Sequence, residues 1–347
     1  KAIDALRAAG GRALALRTLP EGRRLTERAL AILRNAGLAN DVPLLLELLT
    51  NRSEIVKWMS QPAVVLEDTE TVLRLAPTIG RDDLLARAWL NRAFAEYERE
   101  RLQPAEEALS RALELFGKRG DRQGEADGLE VLGRIIEGLR GKLSKAQIAY
   151  RKAFDLYRAL GDGQGMARTM ARLGRCVLNG GGLSDARQIL VEALTLARQH
   201  HERISETNSL MGLAVLAHLT GDAPEAIRLH QEAIAMMQEL GDPAGLAGIR
   251  RHLGMHYLRQ GRLDEAEREM QSARAVYREH VQAEPVFILR SLAEVYLAKG
   301  DLLTAADYAE QALAGVDAAD DISKATHEAT LGKVRAVQGR GEEAEAL

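Results

Sequence analysis

A period of about forty residues runs through this sequence and restricts its fold more than any other feature. An alanine recurs at the end of a turn phrase, usually Gly-x-Leu/Ala-x-Glu/Asp-Ala, at intervals of thirty-nine to forty-one residues. The alanine stands at Ala105, Ala146, Ala186, Ala226, Ala266, Ala305 and Ala344. Such periods are typical of repeat proteins, in which each unit buries its apolar face by stacking against its neighbours.

Small residues recur at two further places in each unit. Seven residues after the alanine, and therefore on the same face of a helix, stand Ala112, Ala153, Ala193, Ala233, Ala273 and Ala312. Twelve residues before it stand Ala93, Gly174, Ala214, Gly254, Ala293 and Gly332. Small residues at fixed places on two helices let those helices approach closely, so each unit is predicted to be an antiparallel helical pair.

The turns carry signals for helix ends. Between units, the recurring dipeptides are Gly120-Asp121, Gly161-Asp162 and Gly241-Asp242. The glycine suits the left-handed position after a helix, and the aspartate suits the N-cap of the next helix. Within units, the residues predicted to cap the second helices are Ser144, Ser184 and Asp264. The phrase from Gly161 to Gly165 imitates a phosphate-binding loop, but such loops follow a strand, so helix capping explains it better.

These patterns predict seven helix pairs in the larger part of the chain. The pairs span 82–99/104–117, 122–140/144–159, 163–179/184–200, 204–220/224–239, 243–260/264–279, 284–299/303–315 and 321–338 with a last helix from 342. Residues 1–80 are less regular, with helical runs at 3–17, 22–36, 42–57 and 63–75. Terminal repeats commonly deviate because one face lacks a neighbour. We therefore predict degenerate helical repeats over 1–80 and a regular array over 81–347, with its last pair truncated.

The regular part resembles a tetratricopeptide repeat (TPR) array, whose pattern is W-x2-L-G-x2-Y, then A-x3-F, then a second alanine. The matching residues include Trp89 with Ala93, Leu173-Gly174, Leu253-Gly254 with Tyr257, Leu292-Ala293 with Tyr296, and Ala146 with Tyr150 and Ala153. The resemblance implies an all-α fold, a right-handed α-α superhelix in which the first helix of each pair lines a concave groove.

The lengthened period is similar to that of the TPR regions of Pins-type adaptors and of large bacterial signalling ATPases. The opening stretch from Ala8 to Leu33 is similar to the segment that begins the TPR region downstream of the ATPase module in bacterial cyclase-linked or LuxR-type regulators. The resemblance implies a ligand- or partner-sensing part of a longer bacterial signalling protein or transcription regulator. Two alternatives remain open: a regulatory lid on the protein's own ATPase or cyclase module, and a free adaptor scaffold.

Composition excludes several classes of function. The formal net charge of -3, from 47 basic and 50 acidic residues, gives no overall attraction for nucleic acid. No apolar run approaches the ~20 residues that span a bilayer, so no membrane partner is expected. Cys176 is the one cysteine, which excludes an internal disulfide and a cysteine-cluster metal site and fits a cytoplasmic protein.

No catalytic constellation can be identified in the sequence. His252 and His256 lie one helical turn apart, but no third ligand accompanies them, so packing explains them better than a metal ion. Cys176 lies beside the small residue Gly174 and is interpreted as a core residue. We therefore predict that this chain has no enzyme activity, no metal site and no cofactor.

The positions predicted to line the groove are mostly basic in the second half of the chain. From Arg168 onward they carry six basic residues and one acidic residue. The candidate ligand-binding residues are Arg168, Arg175, Asn179, Asn208, Arg251, Arg259 and Arg290. A groove lined by charges of one sign focuses the electrostatic potential, and arginine binds carboxylates through two hydrogen bonds. We therefore predict a protein or peptide partner with an acidic segment, or a small acidic ligand. The alternative is that arginine is simply abundant here and its stem covers apolar neighbours.

Overall fold

The computed structural model describes residues 2–15, 18–35, 41–59, 61–99, 101–138, 142–281, 286–316 and 321–346. Eighteen α-helices and no β-strand lie within these ranges, which confirms the all-α prediction. The chain divides into two compact units, Lys1–Glu202 and Arg203–Leu347. Each unit is a series of helical pairs joined by short turns.

The first unit contains α1 to α10. They span Ala2–Ala15, Leu19–Asn35, Val42–Val56, Pro62–Leu75, Asp82–Glu98, Leu102–Arg119, Arg122–Gly138, Leu143–Leu160, Gly163–Asn179 and Leu183–Gln199. Short 3-10 turns follow α3 at Lys57–Met59 and α4 at Ala76–Ile79. The second unit contains α11 to α18. They span Arg203–Leu219, Ala223–Leu240, Pro243–Arg259, Leu263–Val281, Val286–Lys299, Leu302–Ala314, Asp321–Val337 and Gly341–Glu345.

Helices pack in chain order within each unit, and the first helices of successive pairs also contact one another. In the first unit α3 contacts α5, α5 contacts α7 and α7 contacts α9. In the second unit α13 contacts α15 and α15 contacts α17. The odd-numbered helices α1 to α9 of the first unit, and α13 to α17 of the second, therefore each form a continuous layer, which we call the first-helix face of that unit.

The small residues of the repeat permit close helix packing, as predicted. Ala105, Ala146 and Ala186 have no exposed surface. A Cβ atom at Gly174 of α9 would lie 2.7 Å from the side chain of Leu190 in α10. Cys176, on the same helix, is fully buried and belongs to the core, as the sequence indicated.

The turns between pairs also follow the prediction. Gly161 has a positive φ of 72°, and the carboxylate of Asp162 accepts a hydrogen bond from the backbone N–H of Gly165 at 2.9 Å. Asp242 caps α13 in the same way, with its Oδ1 at 3.0 Å from the Gly245 nitrogen and Pro243 in the first turn. The glycine-rich phrase at 161–165 is thus a helix cap.

The predicted caps of the second helices are wrong. Helices α8, α10 and α14 begin at Leu143, Leu183 and Leu263, so the residues that we expected to cap them lie one position inside the first turn. These residues are Ser144, Ser184 and Asp264. Before α10, Gly181 has a positive φ of 84° in the turn, and the carbonyl of Gly182 accepts the first helical hydrogen bond, from Ala186 at 2.9 Å.

Candidate functional site

A polar cavity of about 210 Å³ lies on the first-helix face of the first unit. Its walls are formed by side chains from α5, α7 and α9, from the end of α3 and from the 3-10 turn that follows α3. The lining residues are Glu54, Lys57, Trp58, Leu90, Phe94, Gln123, Asp127, Glu130, Val131, Arg134, Asp162, Gln164 and Arg168. Four successive helical pairs thus contribute to one concave site.

Charged groups of this cavity are already paired, either with one another or with residues just outside it. The carboxylate of Glu130 accepts a hydrogen bond from Arg168 Nε at 3.3 Å and lies 3.6 Å from Arg172 Nε. Burial opposes ionisation of Glu130, yet the surrounding arginines hold its pKa below the ordinary value. Asp127 accepts hydrogen bonds from Arg87 at 2.6 Å and from the Tyr157 hydroxyl at 2.7 Å. Lys57 donates to Glu54. The cavity therefore offers ordered polar groups with little net charge.

Aromatic rings form the other part of the cavity wall. The rings of Trp58 and Phe94 lie with their centroids 5.7 Å apart. The guanidinium of Arg134 lies 4.2 Å from the Phe94 centroid and 4.7 Å from that of Tyr97. Arg168 approaches the Trp58 ring at 5.9 Å, so the 3-10 turn and α9 meet across the cavity.

Three of the predicted ligand-binding residues belong to this unit. Arg168 lies in the cavity with its charge matched by Glu130. Arg175 and Asn179 lie further along α9 and do not line the cavity; Asn179 Nδ2 donates to Glu137 at 3.2 Å. The sequence interpretation missed Arg172, which shares Glu130, because that position was not among those assigned to the groove. It also missed Trp58, because no repeat signal exists in the irregular N-terminal part.

The other four predicted residues belong to the second unit, where the structure brings two of them together. The guanidinium of Arg251 on α13 lies 5.7 Å from the ring centroid of Phe287 on α15, one turn before Arg290. Arg290 Nη1 lies 3.5 Å from Glu294 Oε1, whereas Arg251 Nη2 contacts the ring nitrogen Nε2 of its neighbour His252 at 3.2 Å. Burial and the charge of Arg290 lower the pKa of Arg251.

Arg259 and Asn208 are not part of this pair. Arg259 is exposed at the end of α13, where its charge acts on His218 and His256. Asn208 is half-buried on α11. The seven predicted residues therefore occupy several separate environments within the two units.

Three histidines form a cluster between α11, α12 and α13. His256 packs against His218 and His230, with ring centroids 4.2 Å and 4.7 Å apart. The Nδ1 atom of His230 lies 2.8 Å from the carbonyl oxygen of Ala226. Within the described ranges, no group of three histidine, cysteine or acidic side chains is placed to hold a metal ion. No helix in those ranges is both long and apolar enough to cross a bilayer.

Comparison with known proteins agrees with this architecture. The family model of the tetratricopeptide repeat matches residues 84–159, 203–279 and 245–318. No curated protein matches the chain. Among solved structures, a Rap protein complexed with Competence and Sporulation Factor is similar over 99% of this chain and 94% of its own, with a TM-score of 0.67 and 15% identity.

Two further solved structures share the fold. The apo form of the quorum sensor NprR from B. thuringiensis is similar over 99% of this chain and 96% of its own, with a TM-score of 0.58 and 12% identity. A Signal Transduction ATPase with Numerous Domains from Pyrococcus horikoshii, which has a tetratricopeptide repeat sensor, is similar over 93% of this chain and 51% of its own, with a TM-score of 0.51 and 15% identity. Since the family model covers more than half of the sequence, the chain belongs to the tetratricopeptide repeat family.

Proposed function

We propose that this chain is a non-catalytic sensor of a bacterial multidomain signalling protein or transcription regulator, and that it binds a protein or peptide partner in the cytoplasm. The observation that carries the proposal is the cavity on the first-helix face of the first unit, which four helical pairs build from ordered polar and aromatic groups. Membership of a repeat family that presents concave binding surfaces supports it.

The chemistry of the cavity favours an extended peptide. Because its charged groups are already paired, a small ion would gain little binding energy there. The amides and aromatic rings of the wall can instead contact the backbone and side chains of a peptide. Gln164 of α9 has no hydrogen-bond partner among the described residues, and Gln123 of α7 bridges Asp127 and Asp162. Trp58 and Phe94 supply an apolar wall. A peptide would place an apolar side chain against these rings and its amides against the glutamines.

The partner is a separate protein or the ATPase module that the resemblance places upstream. Similarity in fold to a signalling ATPase with a TPR sensor supports the second alternative only at the level of architecture. An acidic segment in the partner would engage the second unit, where Arg251 of α13 reaches α15 one turn before Arg290.

A peptide selection with matched variants tests the proposal. A random peptide library is selected against the full chain, and the affinity of the selected peptides is measured by fluorescence polarisation. Gln164→Trp fills the cavity from α9, and Gln188→Trp makes the same change on the exposed surface of α10. We expect the first variant to lose at least ~10-fold in affinity and the second to bind normally, since tenfold corresponds to about 1.4 kcal/mol.

Two outcomes would contradict the proposal. One is that no peptide is selected above background. The other is that Gln188→Trp abolishes binding of the selected peptides while Gln164→Trp leaves it unchanged. The second result would place the partner on the second helices instead of on the first-helix face.

A further inference from the structure

Arg251 on α13 and Arg290 on α15 lie on neighbouring helices, and the Arg251 guanidinium reaches the ring of Phe287, one turn before Arg290. Glu294 lies one turn after Arg290 and contacts it at 3.5 Å, the long limit of a hydrogen bond. Arg251 forms no ion pair with any residue that the structure describes, and its Nη2 atom lies 3.2 Å from the ring Nε2 of His252. Of these two arginine charges, one therefore has an ion-paired carboxylate among the described residues.

Burial makes the remaining charge costly. The Nε atoms of both Arg251 and Arg290 are buried and have no hydrogen-bond partner among the described residues. A buried donor without an acceptor loses its hydration and gains nothing in return. Like charges near one another add repulsion, and a buried charge without a counter-charge destabilises a fold. Among the described residues, the contact of Glu294 with Arg290 offsets part of this charge.

Simple covering of apolar surface does not explain the pair. The guanidinium of Arg251 lies 5.7 Å from the ring centroid of Phe287, so one face of it does rest on an aromatic surface. A ring contact cannot accept the in-plane hydrogen bond that Nε offers. Elsewhere in the chain, buried arginines do have acids close at hand: Arg168 and Arg172 share Glu130, and Arg87 donates to Asp127.

We propose that Arg251 and Arg290 bind a carboxylate, supplied by an acidic side chain of the partner peptide. Each guanidinium presents a planar set of N–H groups that matches the two oxygens of a carboxylate. The ligand would compensate the remaining charge and give both Nε atoms an acceptor. This inference deepens the proposed function by naming the group that is recognised in the second unit.

Glu294 then acts as a built-in competitor of the ligand. It occupies part of the hydrogen-bonding surface of Arg290 through one long contact. An arriving carboxylate competes for that surface and is repelled by the charge of Glu294. Neutralising Glu294 should strengthen the binding of an acidic ligand, which is an effect that a merely structural role of the arginines would not produce.

The test uses the full chain and two probes, a blocked tetraglutamate peptide and inorganic phosphate, with affinity measured by calorimetry at low salt. We expect the peptide to bind, Arg251→Met and Arg290→Met each to weaken it by roughly ten- to a hundredfold, and Glu294→Gln to tighten it. Arg228→Met is the matched control, because Arg228 is exposed on α12 and already contacts Glu225 and Glu232. It should leave binding unchanged.

Three results would overturn the inference. They are unchanged affinity of the peptide in both arginine variants, weaker binding in Glu294→Gln, and binding of phosphate without binding of the peptide. None of these results bears on the cavity of the first unit. If selected peptides still depend on Gln164 while the tetraglutamate does not bind, the carboxylate site fails and the proposed function stands.

Discussion

The imidazole rings of His218 and His256 meet edge to face with their centroids 4.2 Å apart, and His230 contacts His256 at 4.7 Å. His256 is 4% exposed and His230 is fully buried. Burial, with the other two histidines and Arg259 nearby, lowers the pKa of His256 to about 3. Burial also lowers the pKa of His230 and that of His218, although His218 is less buried than His230. Protonation of all three rings is therefore disfavoured in the folded second unit.

Acid should destabilise the second unit through this cluster. Below the ordinary histidine pKa of about 6.5, these histidines bind protons in the unfolded chain but not in the folded cluster. The free energy of unfolding therefore falls as the pH decreases from about 6.5 towards about 3. For His256 alone the slope is at most about 1.4 kcal/mol per pH unit. Thermal unfolding between pH 7.5 and 4.5 measures this loss.

Two variants distinguish the contribution of the histidine cluster to acid destabilisation from that of other titratable groups. His256→Leu should have a shallower dependence of melting temperature on pH than the parent chain. His201→Asn is the control, since His201 is exposed and its positive φ of 53° suits asparagine. Equal slopes for the parent and His256→Leu would show that the cluster does not control the acid response.

The helical pairs, the small packing residues and the Gly-Asp turns could be predicted because each depends on local chemistry repeated along the chain. A glycine in the left-handed region and an aspartate at the N-cap need no information from distant residues, as Gly161 and Asp162 show. The second-helix caps were wrong by one residue because Ser144 and Ser184 also suit the first helical turn.

The functional surfaces could be predicted only in part because they depend on which side chains meet across repeats. The sequence predicted that Arg168 lines the groove. Its hydrogen bond with Glu130 could not be predicted, because the two residues are 38 positions apart in the sequence. The histidine cluster joins three helices that no linear motif connects. Trp58 belongs to the irregular part of the chain and yet completes the cavity of the first unit.

Glu130 should be essential to the stability of the first unit. Its side chain is 7% exposed and its carboxylate serves both Arg168 and Arg172, so Glu130→Gln leaves two guanidiniums without their counter-charge. Removing one partner of a buried pair costs about 3–5 kcal/mol. Urea unfolding measures the change, and Glu114→Gln, which breaks the exposed pair with Lys118, should show none. A Glu130→Gln chain as stable as the parent would mean that water compensates these arginines.

Two glycines in helices should respond in opposite directions to the same substitution. In Gly133→Ala the new methyl group would lie 2.4 Å from the ring of the fully buried Tyr150, so we expect a loss of about 1–3 kcal/mol. In Gly248→Ala, within α13, the methyl group meets no described atom outside its own helix within 4 Å, and the better helix propensity of alanine should add about 0.5–1 kcal/mol. Denaturant midpoints compare both with the parent, and destabilisation by Gly248→Ala would contradict this packing.

Removal of residues 1–80 tests the predicted boundary between the degenerate and the regular repeats. Each helical pair contacts mainly its neighbours, so the chain 81–347 should remain helical, with some loss of stability because Leu84 and Ala88 of α5 lose the core that they share with Leu46 and Val72. The deletion also removes Glu54, Lys57 and Trp58 from the cavity. Peptides selected on the full chain should therefore bind weakly or not at all, while binding of the tetraglutamate probe to Arg251 and Arg290 should persist. Circular dichroism measures the helix content, and calorimetry measures the binding of the selected peptides and of the tetraglutamate. Loss of helical structure throughout 81–347 would show that the first two helical pairs are required for the array to fold.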